Sequence, residues 1–248
     1  MENISKALMI AGGILIVIMV VSLVVVLWHQ MSGYFEEQHN ATIVEQNAEF
    51  NAQFENYNGK SIRGNELISV MNKVVDYNRT YSDMENYDRI IIEIELNGHQ
   101  SDFKYNSSDN NIISNSSMLS NHAGDNVIEN ISNLSNKLVS DAKSAGITGI
   151  NDTKLQKLSA SISVIIDDSD DNVDYRKKTI KSILGYEVAD PSSMLTNIQN
   201  ITKQYYQYTQ FKRAMFKCTG IEHNTTNGRV NKITFEIEED ASGNIKYN

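Results

Sequence analysis

The strongest pattern in the chain is an apolar run near its amino terminus. From Ala7 to Trp28, only Gly12, Gly13 and Ser22 interrupt a series of Ala, Leu, Ile, Val, Met and Trp residues, and no charged residue occurs. A helix of this length rises by ~1.5 Å per residue and extends for roughly 33 Å, whereas a hydrocarbon core is about 30 Å thick. Residues 7–28 are therefore predicted to form a transmembrane helix in contact with the lipid bilayer.

A cleaved signal peptide is the alternative interpretation of this run. The apolar region of a signal peptide usually has about 7–15 residues and ends at a pair of small residues that form the cleavage site. The present run is longer, and the chain leaves it through the bulky and polar segment Trp28–Met31. We therefore expect an uncleaved signal-anchor, with residues 1–30 comprising a short cytoplasmic stub and the transmembrane helix.

The charges on either side of the run predict its orientation. Lys6 precedes the run, whereas Glu36 and Glu37 follow it. Because Lys and Arg are retained on the cytoplasmic side, we expect a single-pass protein of the cell membrane with a cytoplasmic amino terminus and an extracytoplasmic carboxy-terminal part. Trp28 and Tyr34 are expected at the outer membrane interface, where amphipathic aromatic rings are favoured.

Residues 31–58 are predicted to continue as an amphipathic stem helix. Their large apolar side chains recur at helical spacing, and acidic residues occupy much of the remaining surface. The resulting candidate interaction stripe consists of Ile43, Phe50, Phe54 and Tyr57. Two interpretations stay open for it: packing against the protein's own core, or self-association along the stem.

Residues 59–248 are predicted to form an α+β domain with an antiparallel sheet. Alternating residues indicate a strand at Arg89–Leu96 and a hairpin of Phe216–Ile221 with Val230–Ile237, while a polar Asn/Ser-rich loop is expected near 97–126. Helical periodicity predicts helices over Ser61–Tyr77, Asp125–Ala145, Asp152–Ile166, Asp174–Leu184 and from Ser192 towards Phe211.

Catalytic and metal-binding signals are weak in this domain. Cys218, the single cysteine, precedes His223 by five residues, but no motif places an orienting group beside them, so a buried thiol on a strand is expected. The acidic segment 167–174 has alternating carboxylates suited to Ca²⁺, yet it lacks the glycine of a calcium loop. We expect an exposed acidic loop in which Asp174 caps a helix, and we predict no metal and no cofactor.

The overall charge bears on the partners. The chain carries a net charge of -9, and its basic residues form only short clusters such as Arg176–Lys178. Strong binding of nucleic acid is therefore not expected, because the phosphate backbone requires a substantial basic surface.

The amino-terminal third resembles a known group of sequences. An opening of the form Ile4–Gly13, a later Phe50-Asn-x-x-Phe54-x-x-Tyr57-x-Gly59 and a segment like Gly64-x-x-Leu67-Ile68 are similar to those of uncharacterised single-pass membrane proteins of Gram-positive bacteria. The layout also resembles, more loosely, that of pilin-type subunits. These resemblances imply a membrane helix, a stem and a mixed α/β head, and they carry no catalytic residues to transfer.

Three hypotheses for function follow from these features. The leading one is a non-enzymatic, membrane-anchored surface protein that makes protein contacts in a pilus-like or secretion-related envelope assembly. The alternative is a ligand-sensing or binding ectodomain, with a pocket lined by Tyr205, Tyr206, Tyr208 and Phe211. An envelope hydrolase is less favoured, because no nucleophile, base and orienting group can be grouped.

Overall fold

The structure, a computed structural model, describes residues 2–82, 88–122 and 125–248. Over these ranges the chain forms two compact units, one ending at Ala52 and the other running from Gln53 to Asn248. The first unit is helical, and the second, here called the body, combines helices with a five-stranded sheet. The predicted mixture of helix and sheet, with a long apolar helix at the amino terminus, is confirmed.

Helix α1 runs from Glu2 to Glu55. Its apolar part contains no proline, so the backbone hydrogen-bond ladder has no local reason to break. After the helix, the amide of Tyr57 donates to the carbonyl of Phe54 at 2.9 Å, and Gly59 adopts a positive φ of 69° that favours glycine. The helix thus ends at Glu55, three residues before the predicted end of the stem at residue 58.

The strands form one mixed sheet with the order β1-β4-β5-β2-β3. Their bounds are Ser61–Arg63 for β1, Ile91–Glu95 for β2, Met118–Ser120 for β3, Met215–His223 for β4 and Val230–Ile237 for β5. Strands β4 and β5 form the predicted antiparallel hairpin, and β1–β4 and β2–β3 are also antiparallel.

Strands β2 and β5 run parallel, so the prediction of an antiparallel sheet is wrong for this pair. Ile92 lies opposite Ile233, and Ile94 lies opposite Phe235. Parallel pairing requires a long crossover between the strands, and the chain between β2 and β5 supplies one that includes most of the helices of the body. The alternation in β2 is as predicted, because Ile92 and Ile94 are fully buried whereas Glu93 and Glu95 on the other face are not.

The remaining helices lie in the body, and several differ from their predicted bounds. They are α2 (Gly64–Tyr81), α3 (Val127–Ser132), α4 (Leu134–Ser144), α5 (Asp152–Ala160), α6 (Ile162–Ile165), α7 (Val173–Leu184) and α8 (Ser193–Arg213), with short 3-10 turns at His99–Ser101 and Asp170–Asn172.

Local polar residues and long-range pairing explain these differences. Two predicted helices are each broken in two, at Asn133 and at Ser161, residue types that readily hydrogen-bond the nearby backbone. Ser61–Arg63, predicted as the start of a helix, is instead strand β1, because it pairs with β4. Strand β3 lies in the segment predicted to be a polar loop, where its partner β2 supplies the ladder.

Helix α8 forms the centre of the body. It packs against α2, α4 and α5, and its Phe211 is fully buried. The ring centroid of Phe211 lies 5.7 Å from that of Phe103, in the long polar segment, and 5.1 Å from that of Phe216 in β4. Aromatic pairs at these separations contribute about 0.5–1.5 kcal/mol beyond their burial. This cluster therefore links helix, sheet and loop.

The polar segment after β2 is held in place by α8. The Gln207 side chain donates to the carbonyl of Asn110 at 2.6 Å and accepts from the amide of Ile112 at 3.0 Å. Phe103 and Ile113 of the same segment are buried. Over the described residues, the segment predicted as a loop is thus anchored by apolar side chains and by one buried amide.

Gly64 allows α8 to approach α2 closely. A Cβ atom at Gly64 would lie 1.9 Å from the carbonyl oxygen of Phe211, which is backbone and has little freedom to move. We expect Gly64→Ala to lower the free energy of unfolding by roughly 1–3 kcal/mol, as overpacking does. Urea unfolding of the detergent-solubilised chain, followed by circular dichroism, measures this loss.

Gly220→Ala is the matched control, because a Cβ at Gly220 in β4 would meet no atom within 4 Å. We expect a change within about 0.5 kcal/mol for this variant. Equal effects of the two substitutions would contradict the close approach of α8 to Gly64.

Candidate functional site

The apolar part of α1 is uncovered on all sides. Asn3–Phe35 is the one helical segment, among the residues the structure describes, that is long and apolar enough to cross a membrane. The most apolar window of this segment has a mean hydropathy of 3.2, and none of it is buried. Side chains such as Leu15 and Val24 are more than half exposed. The first unit therefore presents an apolar cylinder of the kind that a bilayer surrounds.

Trp28 and Tyr34 lie near the carboxy-terminal end of this apolar segment. Both side chains are mostly exposed, and the Tyr34 hydroxyl accepts a hydrogen bond from Gln38 Nε2 at 3.0 Å. Each side chain combines an apolar ring with a polar group, as residues at a membrane interface do. Their assignment to the outer interface stays a prediction.

The four residues of the predicted interaction stripe differ in how far they are exposed to solvent. Ile43 is 39% exposed, Phe50 and Tyr57 are partly buried, and Phe54 is only 2% exposed. Phe54 belongs to the body and is one of its largest fully enclosed side chains. Of the two interpretations left open for the stripe, core packing describes Phe54, whereas Ile43 stays accessible to another molecule.

The opposite face of α1 is exposed. Successive residues are rotated by about 100° around a helix, so Val44, Glu45, Ala48 and Glu49 lie on a face directed away from the stripe. All four are exposed, and Val44 retains 67% of its surface. Together these residues form an exposed acidic face with an apolar side chain at its edge.

Cys218 and His223 have separate partners. Cys218 is fully buried in β4, and burial raises the pKa of its thiol, which disfavours the thiolate. The Nε2 atom of His223 lies 2.8 Å from Glu55 Oε1. This arrangement matches the expected buried thiol on a strand.

The acidic segment 167–174 is organised by Arg176. This arginine is buried in α7, and its guanidinium donates to Asp168 at 2.9 Å, to Asp190 through Nε at 2.7 Å and to the carbonyl of Asp167. Gln199 also donates to Asp168, at 2.9 Å. Arg176 and Gln199 therefore occupy one carboxylate oxygen of Asp168 that a calcium site in this segment would otherwise use.

The expected helix cap in this segment is wrong. Helix α7 begins at Val173, so Asp174 lies inside its first turn, and Asn172 occupies the cap position without a side-chain hydrogen bond. Asp174 still lies where the helix dipole favours negative charge. Among the described residues, no group of three or more His, Cys, Asp or Glu side chains is arranged to hold a metal ion.

Of the four aromatic side chains of α8 predicted to line a pocket, three are core, whereas Tyr206 is partly buried and lines a surface cavity of about 350 Å³. Tyr205, Tyr208 and Phe211 are buried, and the hydroxyl of Tyr205 donates to Asp152 at 2.6 Å. Burial is the main cause of a raised pKa at Tyr205, and the nearby Asp152 acts in the same direction. The pairing of Tyr205 with Asp152 joins α8 to α5, and no motif in the sequence signals it.

A cleft of about 280 Å³ lies at the ends of α2 and α3. Its lining carries both signs of charge, supplied by Arg79, Arg89, Asp125 and Glu129. A cleft with this mixture suits a small polar molecule that bears both charges. Among the described residues, this cleft is the best candidate for a small-molecule site. Arg79 also pairs with Asp76.

His99 links the segment after β2 to the carboxy-terminal end. Its Nδ1 lies 2.7 Å from Asp102 Oδ2, and its Nε2 lies 3.1 Å from Glu239 Oε1. The hydrogen bond with Asp102 raises the pKa of His99 above its usual value, and Glu239 acts in the same direction while burial opposes both. The folded chain therefore favours the imidazolium form.

The chain matches no protein-family profile, no curated protein and no solved structure. The geometry described above is therefore the basis for the functional argument.

Arg176 is expected to stabilise the body substantially. Arg176→Met would leave the carboxylate of Asp190, which is 8% exposed, without its cation. We expect a loss of about 3–5 kcal/mol in the free energy of unfolding. Lys181→Met on the same helix is the control, because its pair with Glu187 is exposed and should contribute less than about 1 kcal/mol. Similar losses in urea unfolding would contradict the central role of Arg176.

His99 should make stability depend on pH. Because its pKa is raised in the folded chain, its contribution is complete below the unfolded value of about 6.5 and disappears as pH rises through the folded value. We therefore expect His99→Gln to reduce the free energy of unfolding most near pH 5.5 or so and least near pH 9 or so. Unfolding curves across this range measure the difference, and a difference that grows with pH would contradict the assignment.

Proposed function

We propose that the chain is a single-pass membrane-anchored surface protein with a non-enzymatic role in protein contacts of an envelope assembly. Residues 7–28 cross the bilayer, the amino terminus lies in the cytoplasm and the body lies outside. The observation that carries the proposal is the uncovered apolar segment of α1. In water, each exposed Leu, Ile or Val of this segment costs about 1.5–3 kcal/mol relative to burial, so the segment favours hydrocarbon.

The distribution of charge supports the proposed orientation. Lys6 is the only Lys or Arg before the apolar run, and Lys60 is the first after it. Over the intervening stretch the charged side chains that follow the run are acidic, so the nearest positive charge lies on the amino-terminal side.

The exposed surface of α1 beyond the apolar run supports the assembly role. Ile43 and Val44 are accessible although they lie outside the predicted membrane segment. Apolar side chains that lie next to each other on an exposed surface contribute to a contact when another protein covers them. Three of the four aromatic residues expected to line a ligand pocket, Tyr205, Tyr208 and Phe211, are core instead, and the alternative of a ligand-binding ectodomain then depends mainly on the mixed-charge cleft.

Charge in the middle of the apolar segment should prevent anchoring. We expect the double variant Val17→Arg and Val21→Arg to leave the membrane fraction under alkaline carbonate extraction, because each Arg near the bilayer centre costs about 2.5–3.5 kcal/mol. Val44→Arg, beyond the segment, is the matched control and should stay in the membrane. In intact cells an impermeant maleimide should label Ser242→Cys, which lies in the extracytoplasmic body, and not Ser5→Cys, which lies in the cytoplasm. The native Cys218 is buried and should not contribute to the labelling.

The same membranes test the assembly role. Chemical crosslinking of the wild-type chain should give species larger than the monomer.

Three outcomes would contradict the proposal. Extraction of the wild-type chain by carbonate would overturn the anchoring, and labelling of Ser5→Cys alone would overturn the orientation. Monomers alone after crosslinking would overturn the assembly role.

A further inference from the structure

The outer face of α7 combines positive charge with an exposed aromatic ring. Lys178 and Lys181 are exposed, and Lys177 lies beside them on the same helix. Tyr175 is 61% exposed, more than any other large apolar side chain in the described part of the body. Tyrosine is enriched at the centres of protein interfaces, where it supplies apolar area and a hydroxyl. We call Tyr175, Lys177, Lys178 and Lys181 the α7 surface.

A groove runs along this surface. It has a volume of about 700 Å³ and lies between α7 and the following segment, with Val188 and Ala189 among its lining residues. Lys181 is partly neutralised by Glu187 at 2.6 Å. Lys178 has no ion-pair partner among the residues the structure describes. The lining carries three Lys against the carboxylates of Asp174 and Glu187, so the groove has an excess of positive charge.

The other basic clusters of the body are engaged internally. Lys212 lies over the ring of Tyr208, with its Nζ 4.7 Å from the ring centroid, and Arg213 lies over Tyr247 at 5.8 Å. Arg176 is buried against Asp190. The α7 surface is therefore the basic cluster best placed to meet an acidic partner.

The chain itself contains a segment of complementary charge. Residues 31–58 include five Glu and no Lys or Arg. The exposed face formed by Val44, Glu45, Ala48 and Glu49 has two carboxylates one helical turn apart, a spacing of about 5–6 Å that matches the separation of Lys178 and Lys181 on α7. Val44 supplies an apolar side chain that can pack against the ring of Tyr175.

We propose that the α7 surface of one copy binds the acidic face at residues 44–49 of a second copy. This inference rests on the proposed assembly role and names the contact that would perform it. The two surfaces differ, so the contact is heterologous, and repetition of such a contact forms a ring or an open filament rather than a closed dimer. With a net charge of -9, the chain repels an anionic partner at long range, but the local charges guide the two surfaces together at short range.

Charge reversal tests this contact in the full chain. Glu45→Lys with Glu49→Lys places five Lys at the contact, Lys177 included. Lys178→Glu with Lys181→Glu places four Glu there beside Lys177. We expect each double variant to reduce the yield of crosslinked oligomers in membranes by about tenfold, because like charges replace opposite ones. The fourfold variant, which exchanges the charges, should recover the wild-type yield to within about twofold.

Lys143→Glu with Lys157→Glu is the matched control for net charge. Both lysines are exposed on the body, in α4 and α5, and their reversal changes the total charge by the same amount as reversal on α7. The yield of oligomers should stay near that of the wild type. A loss equal to that of the α7 variant would mean that total charge governs association, which would overturn the contact.

Cysteine pairs test the heterologous geometry directly. Copies carrying Ala48→Cys and differently tagged copies carrying Lys178→Cys, expressed together, should be joined by a short bis-maleimide into mixed dimers. Each variant expressed alone should give few dimers, because like positions do not meet. The native Cys218 is buried and does not compete.

The outcomes separate this inference from the assembly role. Oligomers that neither reversal diminishes would overturn the contact while the assembly role stands. Wild-type membranes that yield only monomers would overturn both. If the α7 reversal instead abolishes binding to vesicles containing anionic phospholipid, and the fourfold exchange fails to restore oligomers, the surface binds lipid and the contact is wrong.

Discussion

The exposure of the apolar helix to its surroundings is the constraint on which the rest of the protein depends. Residues 7–28 carry no charge and no other part of the described chain covers them, so exposure of their apolar surface to water is unfavourable at every turn of the helix. A bilayer removes that cost, and the helical backbone stays fully hydrogen-bonded within it. The anchoring proposed above would confine the body to a layer beside the membrane. Copies held in a common plane meet more often than copies in solution, which favours contacts that would be weak in free solution.

Within the body, α8 connects elements that are far apart in sequence. Its Phe211 packs between Phe103 and Phe216, and its Gln207 holds the backbone of the polar segment at Asn110. Because Gly64 leaves room for the carbonyl of Phe211, α2 and α8 approach more closely than a side chain would allow. These contacts bury Tyr205, Tyr208 and Phe211, three of the aromatic residues that otherwise suggest a binding pocket.

Charged residues have different roles according to their burial. Arg176 is enclosed and holds Asp168 and Asp190, whereas Lys178 on the same helix is exposed. The run Arg176–Lys178 reads in the sequence as a single basic cluster, but the helix turns its members in different directions. The same distinction applies to α1, where Phe54 is enclosed in the body and Glu45 and Glu49 are accessible.

Local patterns in the sequence were sufficient to predict the apolar helix, strand β2, the β4–β5 hairpin and the approximate positions of α7 and α8. Each depends on the spacing of residues close together in the chain, which the helical and strand repeats dictate. Tertiary structure alone decided that Ser61–Arg63 is a strand, that β2 and β5 run parallel and that Tyr205 is core. It also decided which side of α7 is exposed. The physical reason is that a strand needs a partner for its backbone and a side chain needs neighbours to bury it, and both are supplied by residues far away in the sequence.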